Sequence, residues 1–118
     1  MIVDARPHEL QVEGCVIEIV HQSQVPGAQP YVSRGRVLAV RGPYPRDPYI
    51  ERWLGRPHLG GYTIEYEQLD AHLQYLPRHK RRGWLNEVHV VDGRIYAYPW
   101  RDEINVIERP SALQTRLF

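Results

Sequence analysis

Residues 62–76, YTIEYEQLDAHLQYL, decide the fold class of this chain. Tyr62, Tyr66, Leu69, Leu73 and Leu76 follow one another at intervals of 4, 3, 4 and 3, so a helix would carry all five on one stripe. The spacing predicts the main helix, starting after Gly60 and Gly61 and stopped by Pro77. Glu65, Gln68, His72 and Tyr75 would form its polar border.

Upstream, Asp47 reads as an N-cap and Pro48 as a first helical residue, with Gly55 at the C′ position of a short helix ending near Leu54. Gly42 to Tyr49 is a stiff, proline-rich loop presenting Tyr44, Arg46 and Tyr49. GRPHLGGY, residues 55–62, reads as a turn.

Downstream, residues 86–100, NEVHVVDGRIYAYPW, carry the strongest local signal. Asp92 and Gly93 supply the positive-φ pair of a type I′ turn between two alternating strands. The register then sets Val91 against Arg94, Val90 against Ile95, His89 against Tyr96, Val88 against Ala97 and Glu87 against Tyr98. One face is wholly apolar: Val88, Val90, Ile95 and Ala97. The other mixes Leu85, Glu87, His89, Val91, Arg94, Tyr96, Tyr98 and Trp100. Pro99 ends this strand or places it at a sheet edge.

The remaining strands are predicted over residues 12–21, with Cys15, Ile17 and Ile19 on one face, over Arg34 to Arg41, and at INVI (residues 104–107). Between the first two, QSQVPGAQP is a loop. The expected fold is α+β: an antiparallel sheet of four to five strands with one long and one short helix in the order β-β-α-α-β-β. The alternative is a small β-barrel with a helical insert.

The 118 residues suit one domain, 1–118, and the apolar share of 42% with 25% charged residues is that of a globular chain. No basic leader and no long apolar run occur, so the reading is cytoplasmic, with no membrane partner. Cys15, the single cysteine, excludes an internal disulfide, and its apolar neighbours make it a packed thiol rather than a nucleophile. The six histidines are scattered without metal-ligand spacing, so neither a metal nor a cofactor is expected. No phosphate-cradling loop or nucleophile elbow is present. Net charge is +1, which excludes a global field for nucleic acid, and Lys80 is the single lysine beside fourteen arginines.

Three functional readings follow. The favoured one is a binding or interaction module, a homodimer or a partner of another protein, using the hairpin's mixed face (Arg94, Tyr96, Tyr98, Trp100) and the loop tyrosines Tyr44 and Tyr49. Such a face is too apolar to be plain solvent surface. The second is a small enzyme acting on a polar small molecule, with His89 as general base, Glu87 orienting it, and Tyr96 or Tyr98 as donor. The third is a nucleic-acid-binding regulator using Arg78, Lys80, Arg81, Arg82 and Trp84, a reading opposed by the nearby carboxylates of Glu65, Glu67 and Asp70.

Overall fold

The computed structural model describes residues 10–22, 27–98 and 102–110. Six strands follow one another around a closed barrel: β1 (Val16–His21), β2 (Tyr31–Tyr44), β3 (Gly61–Gln68), β4 (Arg82–Val91), β5 (Arg94–Ala97) and β6 (Asp102–Glu108). Every pairing is antiparallel, and β6 returns to pair with β1, Ile104 opposite Ile19. Closure removes the free edges at which an open sheet would recruit other chains. The helix α1 (Pro48–Leu54) is inserted between β2 and β3, and two 3₁₀ turns, Ala71–Leu73 and Arg78–Lys80, connect β3 to β4. The barrel with a helical insert is therefore the fold, and the α+β sheet in the order β-β-α-α-β-β is corrected to β-β-α-β-β-β-β.

The predicted main helix over 62–76 is a strand followed by turns. Tyr62 and Tyr66 are four residues apart, which suits one helical turn and two strand repeats equally. Ile64 separates the two periods: it is 0% exposed, yet it would lie on the opposite side of a helix from Tyr62. Tyr62, Ile64 and Tyr66 all face the core, and Leu69, Leu73 and Leu76 are only partly buried in the connection to β4. The supposed polar border dissolves accordingly, with Glu65 and Gln68 in β3, His72 in a 3₁₀ turn and Tyr75 solvent-exposed.

The core gathers Ile17 and Ile19 from β1, Val37 from β2, the β3 trio, Leu85 and Val88 from β4, Ala97 and Ile104, with Leu10, Val12 and Cys15 joining them. Each fully buried isoleucine contributes roughly 1.5–3 kcal/mol of transfer free energy. Cys15 is a packed thiol as expected, although Arg109 Nη1 lies 3.8 Å from its sulfur. Gly35 and Gly83 stand on the strands either side of the Tyr66 ring. A Cβ at Gly35 would lie 2.4 Å from Tyr66 Cδ2 and one at Gly83 2.5 Å from its Cζ, so the ring occupies space that only two glycines leave.

The first two strands are shifted and extended relative to expectation. β1 starts at Val16, because residues 12–15 turn there with Cys15 N–H donating to Val12 C=O. β2 runs fourteen residues, from Tyr31 through Gly42, Pro43 and Tyr44, and serves β1 with its first half and β3 with its second. α1 follows the sequence reading: Asp47 caps it by accepting from the N–H groups of Tyr49 (2.9 Å) and Ile50 (3.4 Å), and Gly55 closes it with φ of 72°.

The hairpin turns at Asp92 and Gly93, both with positive φ, and four of the expected pairs stand in register from Val88–Ala97 to Val91–Arg94. The fifth position retains one bond, from Tyr98 N–H to Glu87 C=O at 3.2 Å. The face assignment changes below it. Opposite β3, Tyr62 pairs with Val88 but Ile64 with Leu85, so β4 carries one extra residue, and Glu87 adopts a φ of 54°. This bulge reverses the alternation, and Leu85, expected on the mixed face, shares the core with Val88. Pro99, Trp100 and the chain beyond residue 110 lie outside the described residues. Among the described residues no helix is long and apolar enough to cross a membrane.

Candidate functional site

The hairpin's mixed face is partly roofed by the chain's own loop, residues 56–60. Three contacts pin that loop. His58 N–H donates to Glu51 Oε1 on α1 at 3.1 Å, Arg56 Nη1 donates to Glu87 Oε2 at 2.9 Å, and Gly60 packs against the backbone of Tyr44 and Pro45. The loop divides the surface into two concavities. One, of about 540 Å³, lies between α1, the end of β2 and the β3–β4 strands, and is lined by Tyr44, Ile50, Leu54, His58 and Glu87. The other, of about 640 Å³, is lined by Leu59, His89, Val90, Val91, Tyr96 and Tyr98.

Glu87 is the most constrained residue of the site. Its side chain is buried, its backbone is left-handed without being glycine, and its carboxylate takes Arg56 in a two-oxygen contact (2.9 and 3.2 Å) with His58 Nε2 3.6 Å away. The Arg56 guanidinium also sits over the Tyr98 ring, 5.3 Å from its centroid. Arg56 thus joins the loop to both hairpin strands.

The expected partnership of Glu87 with His89 is not formed. Glu87 is engaged by Arg56, whereas the His89 ring packs beneath Gly61 and its Nε2 is buried without a hydrogen-bond partner. A general base needs an orienting acceptor, and among the described residues no carboxylate pairs with His89. Tyr96 stands opposite His89 in the ladder, while Tyr98 faces Arg56. His89, Tyr96 and Tyr98 share the second cleft; Arg94 is exposed at the hairpin tip. Trp100 lies outside the described residues. Tyr44 lines the first cleft, and Tyr49 is exposed on α1.

Two of the basic segment's four fixed charges, Arg78 and Arg82, are paired with carboxylates. Arg78 donates to Glu67 at 2.7 Å, Arg82 to Glu65 at 3.0 Å, and Arg81 to Gln74. Trp84 is exposed opposite Glu65 on β3, and Lys80 makes no comparable bond among the described residues. The carboxylates of Glu65 and Glu67 thus lower, by two of four, the fixed charge left for a phosphate backbone. Among the described residues no group of three His, Cys, Asp or Glu side chains could hold a metal ion.

Two residues that build this site, Arg56 and His58, carried no signal beyond a turn. Their roles arise because the loop folds back across β4, a contact 31 residues distant for Arg56. No family model matches the chain, and neither a curated protein nor a solved structure matches it.

Proposed function

We propose that the protein is a binding and interaction module that pairs with a second copy of itself through the β4–β5 hairpin. The observation that supports this reading is the exposure of Val90 (47%) and Val91 (51%), consecutive residues whose side chains leave opposite faces of the ribbon. Apolar surface on both sides of the hairpin tip is costly in water and favours a cover. The adjoining cleft, walled by Leu59, Tyr96 and Tyr98, is a receptacle for such a tip. A twofold arrangement lets each tip enter the other copy's cleft, the closed and self-complementary form that dimers adopt. Asp92 and Arg94, of opposite charge at the tip, suit that antiparallel meeting.

Light scattering coupled to size exclusion, at about 100 μM and well above a micromolar dissociation constant, is expected to give a dimer mass. Val91→Glu should weaken association at least about ten-fold, because it places a charge in an apolar contact. Both valines are outside the core, so the change leaves the barrel intact. A monomer mass for the unaltered chain throughout the concentration range would dispose of the dimer, and binding of an apolar dye by that monomer would make a small molecule the occupant instead.

A further inference from the structure

A second constellation lies away from the hairpin, at the barrel mouth where β1 ends and β2 and β6 begin. Ile19 of β1 faces Ser33 of β2 and Ile104 of β6, and His21, two residues further along β1, shares Ile19's side. Three adjacent strands thereby bring together His21, Ser33 and Asp102. His21 Nε2 lies 2.7 Å from Ser33 Oγ, and its Nδ1 lies 3.1 Å from Asp102 Oδ2. The Gln22 N–H donates to the other carboxylate oxygen at 3.1 Å, and Asp102 is 6% exposed. The Tyr31 ring stacks on the imidazole, centroids 4.4 Å apart and planes 15° off parallel.

These contacts set the tautomer. A carboxylate only accepts, so Nδ1 carries the proton; Nε2 of the neutral ring then holds the lone pair and accepts from the Ser33 hydroxyl. A barrel could be stitched by any of these bonds singly. Together they supply a hydroxyl, a base on the correct ring nitrogen, a carboxylate behind it, and an open space in front: Ser33 and His21 line a cavity of about 560 Å³.

We propose that the barrel mouth is an acyl-transfer site for small carboxylic esters, with Ser33 as nucleophile, His21 as general base and acid, and Asp102 as positioning residue. Ser33 Oγ bonds to the ester carbonyl carbon as its proton passes to His21 Nε2. Collapse of the tetrahedral adduct breaks the bond to the alcohol oxygen, which leaves with that proton. Water then attacks the Ser33 ester, again giving a proton to Nε2, and its return to Oγ releases the carboxylic acid. Water and ester go in; acid and alcohol come out.

The walls define the substrate class. Tyr31, Tyr66, Gln68 and His72 bring side-chain donors to the cavity wall, and burial, followed by the nearby Asp70 charge, raises the Tyr66 hydroxyl's pKa so that it keeps its proton. Val32 and Leu73 offer an apolar surface, and Asp70 lies among the lining residues with no arginine or lysine. An anionic ester is therefore disfavoured and an uncharged one favoured.

The full chain treated with a fluorophosphonate is expected to gain one phosphonyl group, mapped by peptide mass to Ser33, and to hydrolyse p-nitrophenyl acetate at least about 100-fold faster than Ser33→Ala. Asp102→Asn should lower the acylation rate about 10⁴-fold and shift the NMR signature of the His21 Nδ1 proton, at unchanged circular dichroism. Label on another residue, or equal hydrolysis by Ser33→Ala, overturns the proposal. Should Asp102→Asn fail to fold, Ser33→Ala still decides, because it leaves the His21–Asp102 bond in place. Dimerisation is unaffected by either change, so this test is independent of the hairpin reading.

Discussion

Gly83 and Arg56 are the residues at which single side-chain changes read the architecture most directly. A methyl group at Gly83 would stand 2.6 Å from the Tyr66 hydroxyl oxygen and 2.5 Å from its ring, inside a strand that cannot retreat. Gly83→Ala is expected to cost about 1–3 kcal/mol in urea denaturation, and less in a Tyr66→Leu background, because overpacking needs the ring. Arg56→Ala leaves the Glu87 carboxylate buried with only a histidine nearby. Breaking a fully buried pair costs about 3–5 kcal/mol; with Arg56 about one-third exposed, a loss of about 1–3 kcal/mol is expected by the same measurement. Glu87→Gln, which removes the charge, should cost less than Arg56→Ala.

At the scale of elements, α1 and the 56–60 loop behave as one unit because Glu51 holds both. Its carboxyl is kept below the ordinary carboxylate range first by the Arg46 side-chain hydrogen bond and next by the His58 backbone N–H. A lowered folded pKa means that this contribution is complete above the ordinary carboxylate range and disappears as pH falls through the folded value. Protection of the His58 amide from hydrogen exchange, relative to an unstructured amide at the same pH, is therefore expected to be high at neutral pH and to fall under acid. Glu51→Ala, which removes the acceptor, should leave that protection low at every pH, and an unchanged amide in that variant would contradict the coupling. The two local signals that held, the Asp47–Pro48–Gly55 helix frame and the Asp92–Gly93 turn, share a cause: each depends on backbone groups within a few residues of one another. The misread element fails for the complementary reason. Tyr62 and Tyr66 suit either period, and the choice falls to Ile64, whose burial depends on β2 and β4 lying alongside.

For the whole molecule, the far-UV circular dichroism spectrum is expected to be that of a β protein, since α1 is seven residues long and no second α-helix occurs among the described residues. A strong helical double minimum would reinstate the 62–76 helix. By itself the sequence determined what short-range chemistry controls: a globular chain without a cysteine framework, one capped helix, one tight hairpin and its register. Barrel closure, the bulge at Glu87, the meeting of Arg56 with Glu87 and of His21 with Ser33 and Asp102 were decided only by the tertiary structure. The β6–β1 pairing joins residues more than eighty positions apart, and the free energy of such contacts depends on which strands become neighbours, a quantity absent from any local window of the chain.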